Sequence, residues 1–432
     1  MSRTFTVGVK HVTRVEGHGN ILLDVTNGSI ERLEWQIPEA PRFFEAMIRG
    51  RTWQEVHTIT SRICGICSIS HTMASVRATE RAMGIELSAA DLSYRELMHY
   101  SEQLQSHTLH IGYLVAPDLF GVKSVIPLVS SHPDAVKVII RAHRIANEMS
   151  AVMGGRITHP VTVVPGGFTQ YPTRGQLLKM KGDMEQALAD FEAIGEIILS
   201  VADRLPAFQR DTEYVGLYDG EVYPFYKGMI GTSDAEPIDD QDYRSAINEY
   251  VSPQSTAKFA KWHRDTYAVG ALARFNLNSR FLMPRAKKLA KAVGLVAPCT
   301  NPFFNSVAQL VECAHMTEDA QRRIDEILTT DAPYVKPRVT PRAGNGAGVV
   351  EAPRGLLIHE YTYDKNGICQ SGNCVIPTNQ NHANIQADFE ALVPAILDKG
   401  EDEITLALEM LVRSYDPCIS CSTHYLDVQF KR

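Results

Sequence analysis

The chain has 432 residues, of which 44% are hydrophobic and 22% charged, the balance of an ordinary globular protein with a sizeable core. Its formal net charge of −7 gives no electrostatic reason to expect nucleic acid or an anionic membrane surface as a partner. The first thirty residues lack the charged and apolar regions of a signal peptide, and no apolar run reaches the roughly 18 residues that a membrane span needs. We therefore expect a cytoplasmic protein with neither nucleic acid nor a membrane span.

Apolar and polar residues alternate in three short segments near the start of the chain, at 4–9, 20–25 and 30–37. This alternation predicts strands, and Asn27-Gly28 between the last two predicts a hairpin turn. A small antiparallel sheet is therefore expected within residues 1–40.

Apolar residues recur at helical spacing in much of the remaining chain, at 41–49, from after 71 to about 83, 89–115, 133–153, 176–205, 242–250, 284–293, 301–328, 382–397 and 402–414. These stretches predict a mainly helical α+β protein, with a long central helix bundle and small peripheral antiparallel sheets. We expect a single domain over residues 1–432, with a helical core at 41–330, a hairpin inserted at 213–233 and a C-terminal segment at 349–424. The Pro- and Gly-rich stretch 332–348 indicates a subdomain boundary or an extended loop.

Two Cys-x-x-Cys pairs stand near opposite ends of the chain, Cys64 with Cys67 and Cys418 with Cys421. In a cytosolic chain such pairs bind metals or do redox chemistry more often than they form structural disulfides. Thiolate ligands suit zinc, an iron–sulfur cluster or nickel, and residue type alone does not choose among them. The pairs lie 418 − 64 = 354 residues apart, far beyond the roughly 15 to 20 of an ordinary zinc ribbon. We therefore expect one site inside the bundle that joins both ends of the chain.

Several polar residues could have roles at this site. Some are close in sequence to one of the cysteine pairs, and the others are in two further segments. These polar residues are Arg14, Glu16, His71, Arg354, Asp416 and His424. A buried anionic metal centre would explain them. The alternatives are a polar turn with a local ion pair for Arg14 and Glu16, and a surface strand end for Arg354. His107 and His110 are expected to be core or interface histidines.

Four motifs in order then resemble the large, catalytic subunit of nickel–iron hydrogenases. They are Arg-x-Glu-Gly-His at 14–18, Arg-x-Cys-Gly-x-Cys-x-x-x-His at 62–71, Ala-Pro-Arg-Gly at 352–355 and Asp-Pro-Cys-x-x-Cys-x-x-His at 416–424. The resemblance covers about residues 7–424 and is greatest to the cytosolic, bidirectional hydrogenases linked to NAD(P). It implies the hydrogenase large-subunit fold and reversible splitting of H2.

The resemblance implies a role for each cysteine of the two pairs. Cys64 and Cys418 would be terminal nickel ligands, while Cys67 and Cys421 would bridge nickel to an iron that carries carbon monoxide and cyanide. Glu16 would take the proton away from Cys418. A heterolytic split of H2 needs such a base beside a Lewis-acidic metal.

Other matching positions would surround the metals. Arg354 would lie over the open coordination site, with Asp118 and Asp416 beside it. The segment Pro377-Thr378 resembles the one that hydrogen-bonds a cyanide, and His71 would hydrogen-bond a bridging sulfur. Two further residues, Glu45 and His424, would help to hold magnesium or a similar divalent cation. For Glu45 the alternative is a solvated helix position.

Electrons would have to leave through another chain, because the other cysteines form no compact set of four for a cluster. They are Cys299, Cys313, Cys369 and Cys374. The last two lie in a stretch, 367–378, that is expected to be a turn-rich loop, and we expect them to be ordinary thiols. The resemblance implies an iron–sulfur small subunit, flavin-containing subunits that reach NAD(P), and a maturation protease that removes residues 425–432 after His424. The open alternatives are the same chemistry coupled to a heterodisulfide reductase or a deazaflavin-reducing partner, and a non-enzymatic zinc protein. Related complex I chains have lost the nickel cysteines, which are all present here.

Overall fold

A computed structural model describes residues 3–424, so the expected processed tail, 425–432, lies outside the described residues. The strands are β1 (Phe5–Val9), β2 (Asn20–Thr26), β3 (Ser29–Gln36), β4 (Val163–Val164), β5 (Gly167–Phe168), β6 (Glu213–Tyr218), β7 (Met229–Thr232), β8 (Asn248–Val251), β9 (Lys258–Lys261), β10 (Tyr267–Ala268), β11 (Gly344–Ala352), β12 (Gly355–Tyr363) and β13 (Cys369–Val375). The α-helices are α1 (Phe44–Met47), α2 (Trp53–Thr60), α3 (Ser68–Met83), α4 (Ala89–Leu109), α5 (Ala116–Leu119), α6 (Leu128–Ser131), α7 (Pro133–Gly154), α8 (Arg174–Leu199), α9 (Tyr243–Ala246), α10 (Ala271–Asn278), α11 (Pro284–Ala292), α12 (Asn305–Thr330), α13 (Pro377–Ile396), α14 (Glu401–Ser414) and α15 (Ile419–Ser422).

The N-terminal sheet is antiparallel in the order β1-β2-β3, as the sequence predicts. Asn27 and Gly28 connect β2 to β3 with φ angles of 51° and 82°. Positive φ at both positions is the requirement of the two-residue hairpin turn that Asn-Gly favours. The expected hairpin is therefore confirmed.

The long helices α4, α7, α8 and α12 pack against one another and form the central bundle. Their inward faces are apolar, with side chains such as Leu97, Leu104, Leu310 and Ile324 fully or almost fully buried. This arrangement confirms the predicted helical bundle. Between residues 3 and 424, no helix is long and apolar enough to span a membrane.

A second antiparallel sheet, β11-β12-β13, packs against α3 in the interior of the protein. Gly344, Gly346 and Gly348 alternate along β11 on the face that meets α3. A Cβ atom added at Gly348 would lie only 2.1 Å from the carbonyl oxygen of Ala74. The glycines therefore let the strand lie directly on the helix backbone, and the expected break at 332–348 is a loop only as far as residue 343.

The hairpin predicted at 213–233 consists of β6 and β7, joined by a loop that reaches into the main core. Tyr223 and Phe225 of this loop are buried. The short strand β10 pairs in parallel with β6. Segment 213–233 therefore packs as a part of the core.

Candidate metal centre

The two ends of the chain meet at the centre of the site through backbone contacts. Glu16 forms an isolated parallel bridge with Cys418, and its carbonyl oxygen accepts a hydrogen bond of 2.9 Å from the Ile419 amide. Gly17 has a φ of 84°, and a Cβ atom there would lie 2.7 Å from the Ser420 nitrogen. Only glycine meets both requirements, so Gly17 allows the first motif to lie against the last.

Helix starts place all four cysteines of the two pairs at one point. Cys64 precedes α3 and Cys67 is its N-cap, while Cys418 is the N-cap of α15 and Cys421 lies within that helix. The four Sγ atoms all lie within 4.8 Å of one another, and those of Cys64 and Cys418 are 3.5 Å apart. All four residues are buried. The sequence prediction of a single site joining both ends is therefore supported by the geometry.

The thiols differ in acidity. Burial favours the neutral thiol of Cys64, but hydrogen bonds from the other cysteines, led by that from Cys418, together with the Arg354 cation, lower its pKa well below the usual range. Burial instead raises the pKa of Cys418 well above its usual range and that of Cys421 to about 11. Burial thus favours the neutral thiol at Cys418 and Cys421. A thiophilic dication would allow all four thiols to ionise, so the donor set fits a nickel–iron centre.

Arg354 is in the turn between β11 and β12 and lies near this cluster. Its Nε donates to the carbonyl oxygen of Asp416 at 2.6 Å and its Nη2 to the carboxylate of Asp416 at 3.0 Å. Its Nη1 is buried and has no hydrogen-bond partner among residues 3–424. An unpartnered buried cationic donor is costly, which indicates that this nitrogen faces a group that belongs in the site. Arg354 is therefore buried near the cysteine cluster and is not a surface strand end.

Arg274, which the sequence analysis missed, holds the Arg354 turn in place. Its guanidinium donates to the carbonyl oxygens of Ala352 and Pro353 at 3.1 and 3.2 Å. It also pairs with Glu312 and Glu351 at 2.7 and 2.9 Å, and all three charged side chains are fully buried. Although burial opposes ionisation, Arg274 lowers the pKa of Glu312 to about 2. No local motif marks Arg274, because its partners are distant in sequence.

Glu312 also contacts one of the histidines on α4. The Nε2 atom of His107 lies 2.8 Å from a carboxylate oxygen of Glu312, with both side chains fully buried. His110 similarly contacts Gln309 at 2.6 Å. Both are core histidines, as the sequence analysis expects.

Asp118, which is expected beside Arg354, binds two other arginines through its carboxylate. Its carboxylate pairs with Arg413 at 2.7 Å and also with Arg14. No hydrogen bond or ion pair joins Asp118 to Arg354 within the described chain. Its expected place beside Arg354 stays a prediction, while its two partners are Arg14 of the first motif and Arg413 of α14. Asp118 thereby ties the first motif to the helix that leads to the last one.

Glu16 lies beside the Cys418 segment and is partly exposed. Its carboxylate accepts hydrogen bonds from the Ser420 amide at 3.1 Å and from the Ser420 hydroxyl. Arg14, the expected local partner of Glu16, pairs with Asp118 instead. The Glu16 carboxylate therefore has no cationic partner in the described chain and lies between the cysteine cluster and the protein surface.

Thr378 lies in the first turn of α13, next to Pro377. Its hydroxyl oxygen accepts a hydrogen bond of 2.9 Å from the Cys418 amide. The hydroxyl proton is left available to donate, and helix N-termini favour anions. This position fits the binding of a small anionic ligand at the metal site.

Glu45 and His424 form a second buried polar pair near the end of the described chain. Glu45 is 1% exposed, which rules out the solvated helix position. Its Oε1 contacts Nδ1 of His424, while its Oε2 has no partner among the described residues. Carboxylate and imidazole donors with one free oxygen fit a divalent cation.

His71 lies four residues after Cys67 on α3, with its ring inside the protein. Its Nδ1 atom is 3.0 Å from Nε2 of His359. Burial lowers the pKa of His71 to about 4, while the neighbouring Cys64 charge acts in the opposite direction. His71 is therefore a neutral imidazole close to the cysteine cluster.

The remaining cysteines lie outside this cluster. Among residues 3–424, the four cysteines are the one group of three or more side chains that could hold a metal ion. Cys369 and Cys374 are buried in β13 as free thiols, and burial raises the pKa of Cys369 to about 11. They are the ordinary thiols that the sequence analysis expects.

The chain is similar to known proteins over almost its whole length. A family model described as nickel-dependent hydrogenase matches residues 42–137 and 209–424. The chain is 30% identical over 420 residues to the sulfhydrogenase 1 subunit alpha of Pyrococcus furiosus, covering 97% of each protein. It is 28% identical to the subunit beta of the NAD-reducing hydrogenase HoxS of Cupriavidus necator, covering 96% of this chain and 94% of that protein.

A solved structure of an NAD+-reducing NiFe-hydrogenase in the H2-reduced state has a TM-score of 0.89 and 26% identity, covering 97% of this chain and 99% of that one. This match confirms the expected large-subunit fold. The matched family segments contain both cysteine pairs, whose sulfurs form the four-cysteine cluster. The chain therefore belongs to the nickel-dependent hydrogenase large-subunit family.

Proposed function

We propose that this chain splits H2 reversibly at a nickel–iron centre held by its four clustered cysteines. Cys64 and Cys418 are assigned as terminal nickel ligands, and Cys67 and Cys421 as bridges to iron. The bound centre supplies a redox-active Lewis acid, with carbon monoxide and cyanide on its iron. The proposal rests on one observation above all: four buried Sγ atoms within 4.8 Å of one another.

The surrounding side chains have separate roles in proton transfer and in contacts with the metal centre. Glu16 receives the proton of the Cys418 thiol and releases it outward, which its partial exposure and lack of a cationic partner support. Arg354, held by Asp416, directs its unpartnered Nη1 at the reacting centre. The segment Pro377-Thr378 would bind a cyanide at the N-terminus of α13 through the Thr378 hydroxyl, and His71 would donate a hydrogen bond to a cysteine sulfur.

We also propose a divalent cation, with magnesium as the first candidate, between Glu45 and His424. The unpartnered Oε2 atom of Glu45 supports this assignment. The cation would hold α1 against the last motif, since the Phe44 amide already donates to the His424 carbonyl oxygen at 3.2 Å.

Electrons leave through an iron–sulfur small subunit and, we propose, reach NAD(P) through flavin-containing subunits. The likeness to the subunit beta of an NAD-reducing hydrogenase supports this acceptor. Coupling to a heterodisulfide reductase or a deazaflavin-reducing partner is the alternative. The single-domain organisation over residues 1–432, the cytoplasmic location and the maturation protease stay predictions.

The test is H2-dependent reduction by the purified complex, measured with a viologen dye, NAD+, NADP+ and a deazaflavin. We expect dye reduction together with reduction of NAD+ or NADP+. A complex with Cys418→Ser should retain its subunits and lose both activities. Dye reduction without any pyridine-nucleotide reduction would contradict the proposed acceptor, and a wild-type complex that cannot use H2 would contradict the proposed function.

A further inference from the structure

A buried chain of hydrogen bonds runs away from the cysteine cluster between α3 and β12. Nδ1 of His71 lies 3.0 Å from Nε2 of His359, whose Nδ1 lies 2.6 Å from the hydroxyl of Tyr361. That hydroxyl donates to the hydroxyl oxygen of Ser75 at 3.0 Å. All four side chains are fully or almost fully buried.

The four side chains can meet because the helix repeat brings two of them to one face of α3 and the strand repeat brings the other two to one face of β12. His71 and Ser75 stand four residues apart on one face of α3, and His359 and Tyr361 stand two apart on one face of β12. The Ser75 end of the chain lies inside the protein, with a fully buried side chain. This chain is therefore not a route by which protons reach the solvent.

The chain has two possible proton arrangements, because each neutral imidazole has one N–H group. In one, every donor points toward Ser75, and Nε2 of His71 is left with a lone pair. In the other, the Tyr361 hydroxyl donates to His359, His359 donates through Nε2 to His71, and Nε2 of His71 carries the proton. The hydrogen bond of the His71 ring to His359 uses Nδ1, which leaves Nε2 for another partner.

We propose that His359 is a positioning residue, fixed by Tyr361, that keeps the proton of His71 on the nitrogen left free for the cysteine sulfurs. The inference rests on the proposed hydrogen bond from His71 to a cysteine sulfur. Metal-bound thiolates can only accept hydrogen bonds, so they favour the arrangement in which all donors point toward them. Such a donor withdraws electron density from the sulfur and tunes the metals behind it.

The test compares Tyr361→Phe with Tyr363→Phe in the purified complex. Tyr363 is the matched control because it lies two residues further along the same face of β12 and bonds Thr79 at 2.9 Å, with no link to His359. The readouts are nickel content, the infrared bands of carbon monoxide and cyanide on iron, and H2 oxidation. We expect Tyr361→Phe to retain nickel, shift the infrared bands and lower the rate about tenfold or more. Tyr363→Phe should leave bands and rate unchanged.

A second pair of variants separates donation from packing. His359→Gln retains an N–H donor at the position of Nε2, whereas His359→Leu does not. We expect the glutamine variant to keep infrared bands near those of the wild type and the leucine variant to shift them. Equal behaviour of the two variants, unshifted bands in Tyr361→Phe, or loss of nickel from Tyr361→Phe would overturn the inference. These results leave the wild-type bands in place, whereas a wild-type complex without such bands would contradict the nickel–iron centre itself and this inference with it.

Discussion

Glu16 is the side chain at which a substitution can best change proton transfer without changing metal binding. It contacts the Cys418 segment through its backbone and Ser420 through its carboxylate, and it is partly exposed. We predict that Glu16→Gln keeps its nickel and iron but exchanges protons with deuterium gas at least about 100-fold more slowly, because an amide cannot accept the proton. Glu39→Gln is the matched control, since Glu39 is a nearby carboxylate bound to His18 at 2.8 Å. Unchanged exchange in Glu16→Gln would remove Glu16 from the proton path.

Replacing Arg354 with lysine keeps the positive charge and changes its geometry, so this variant tests whether the geometry is needed. Its guanidinium uses Nε and Nη2 to hold Asp416 and still has Nη1 free. A lysine ammonium is a point charge that cannot make both contacts and also present a donor. We predict that Arg354→Lys keeps the metals and lowers H2 oxidation about 100-fold, measured as turnover per nickel. Full activity would mean that the arginine has only a structural role.

At the scale of single residues, the sequence predicts what lies within motifs and misses what lies between them. The four cysteines and Arg354 belong to recognisable motifs, and they lie together in the structure. Arg274 and His359 have partners 78 and 288 residues away in the chain, respectively. No local spacing records such a pairing, so only the fold could reveal either residue.

At the scale of elements, the close contact between β11 and α3 depends on glycine. We predict that Gly348→Ala lowers the free energy of unfolding by about 1 to 3 kcal/mol, because the added methyl group meets the Ala74 carbonyl oxygen at 2.1 Å. Gly182→Ala in α8 is the control, since a Cβ atom there meets nothing within 4 Å. This variant should be neutral or more stable by less than about 1 kcal/mol. A melting temperature of Gly348→Ala equal to that of the control would contradict the proposed contact.

The same contact explains why the sequence predicts a loop where the structure has part of a strand. Glycines at 344, 346 and 348 indicate a loop when read alone, yet they belong to a buried strand that needs no side chains on one face. Strand β13 was likewise expected to be a turn-rich loop within 367–378, and the helix predicted at 41–49 is the single turn α1. The long amphipathic helices were predictable because their apolar stripes record their burial directly.

At the scale of the whole molecule, both ends of the chain are needed for one site. The Glu45 contact with the buried His424 brings the end of the described chain next to the cysteine cluster. We predict that the active subunit ends at His424, so that 432 − 424 = 8 residues are absent from it. Intact-mass measurement of the active complex checks this directly. An active subunit that ends at Arg432 would rule out cleavage.

The central claim is that the four cysteines hold nickel beside iron. X-ray absorption at the nickel edge of the purified active complex tests it most directly, because it reports the ligands of the metal itself. We predict a sulfur shell that fits the four Sγ atoms, together with an iron neighbour. The sulfur shell should be disrupted in Cys418→Ser. A complex that contains zinc and no nickel, or nickel bound mainly by nitrogen and oxygen, would contradict the account.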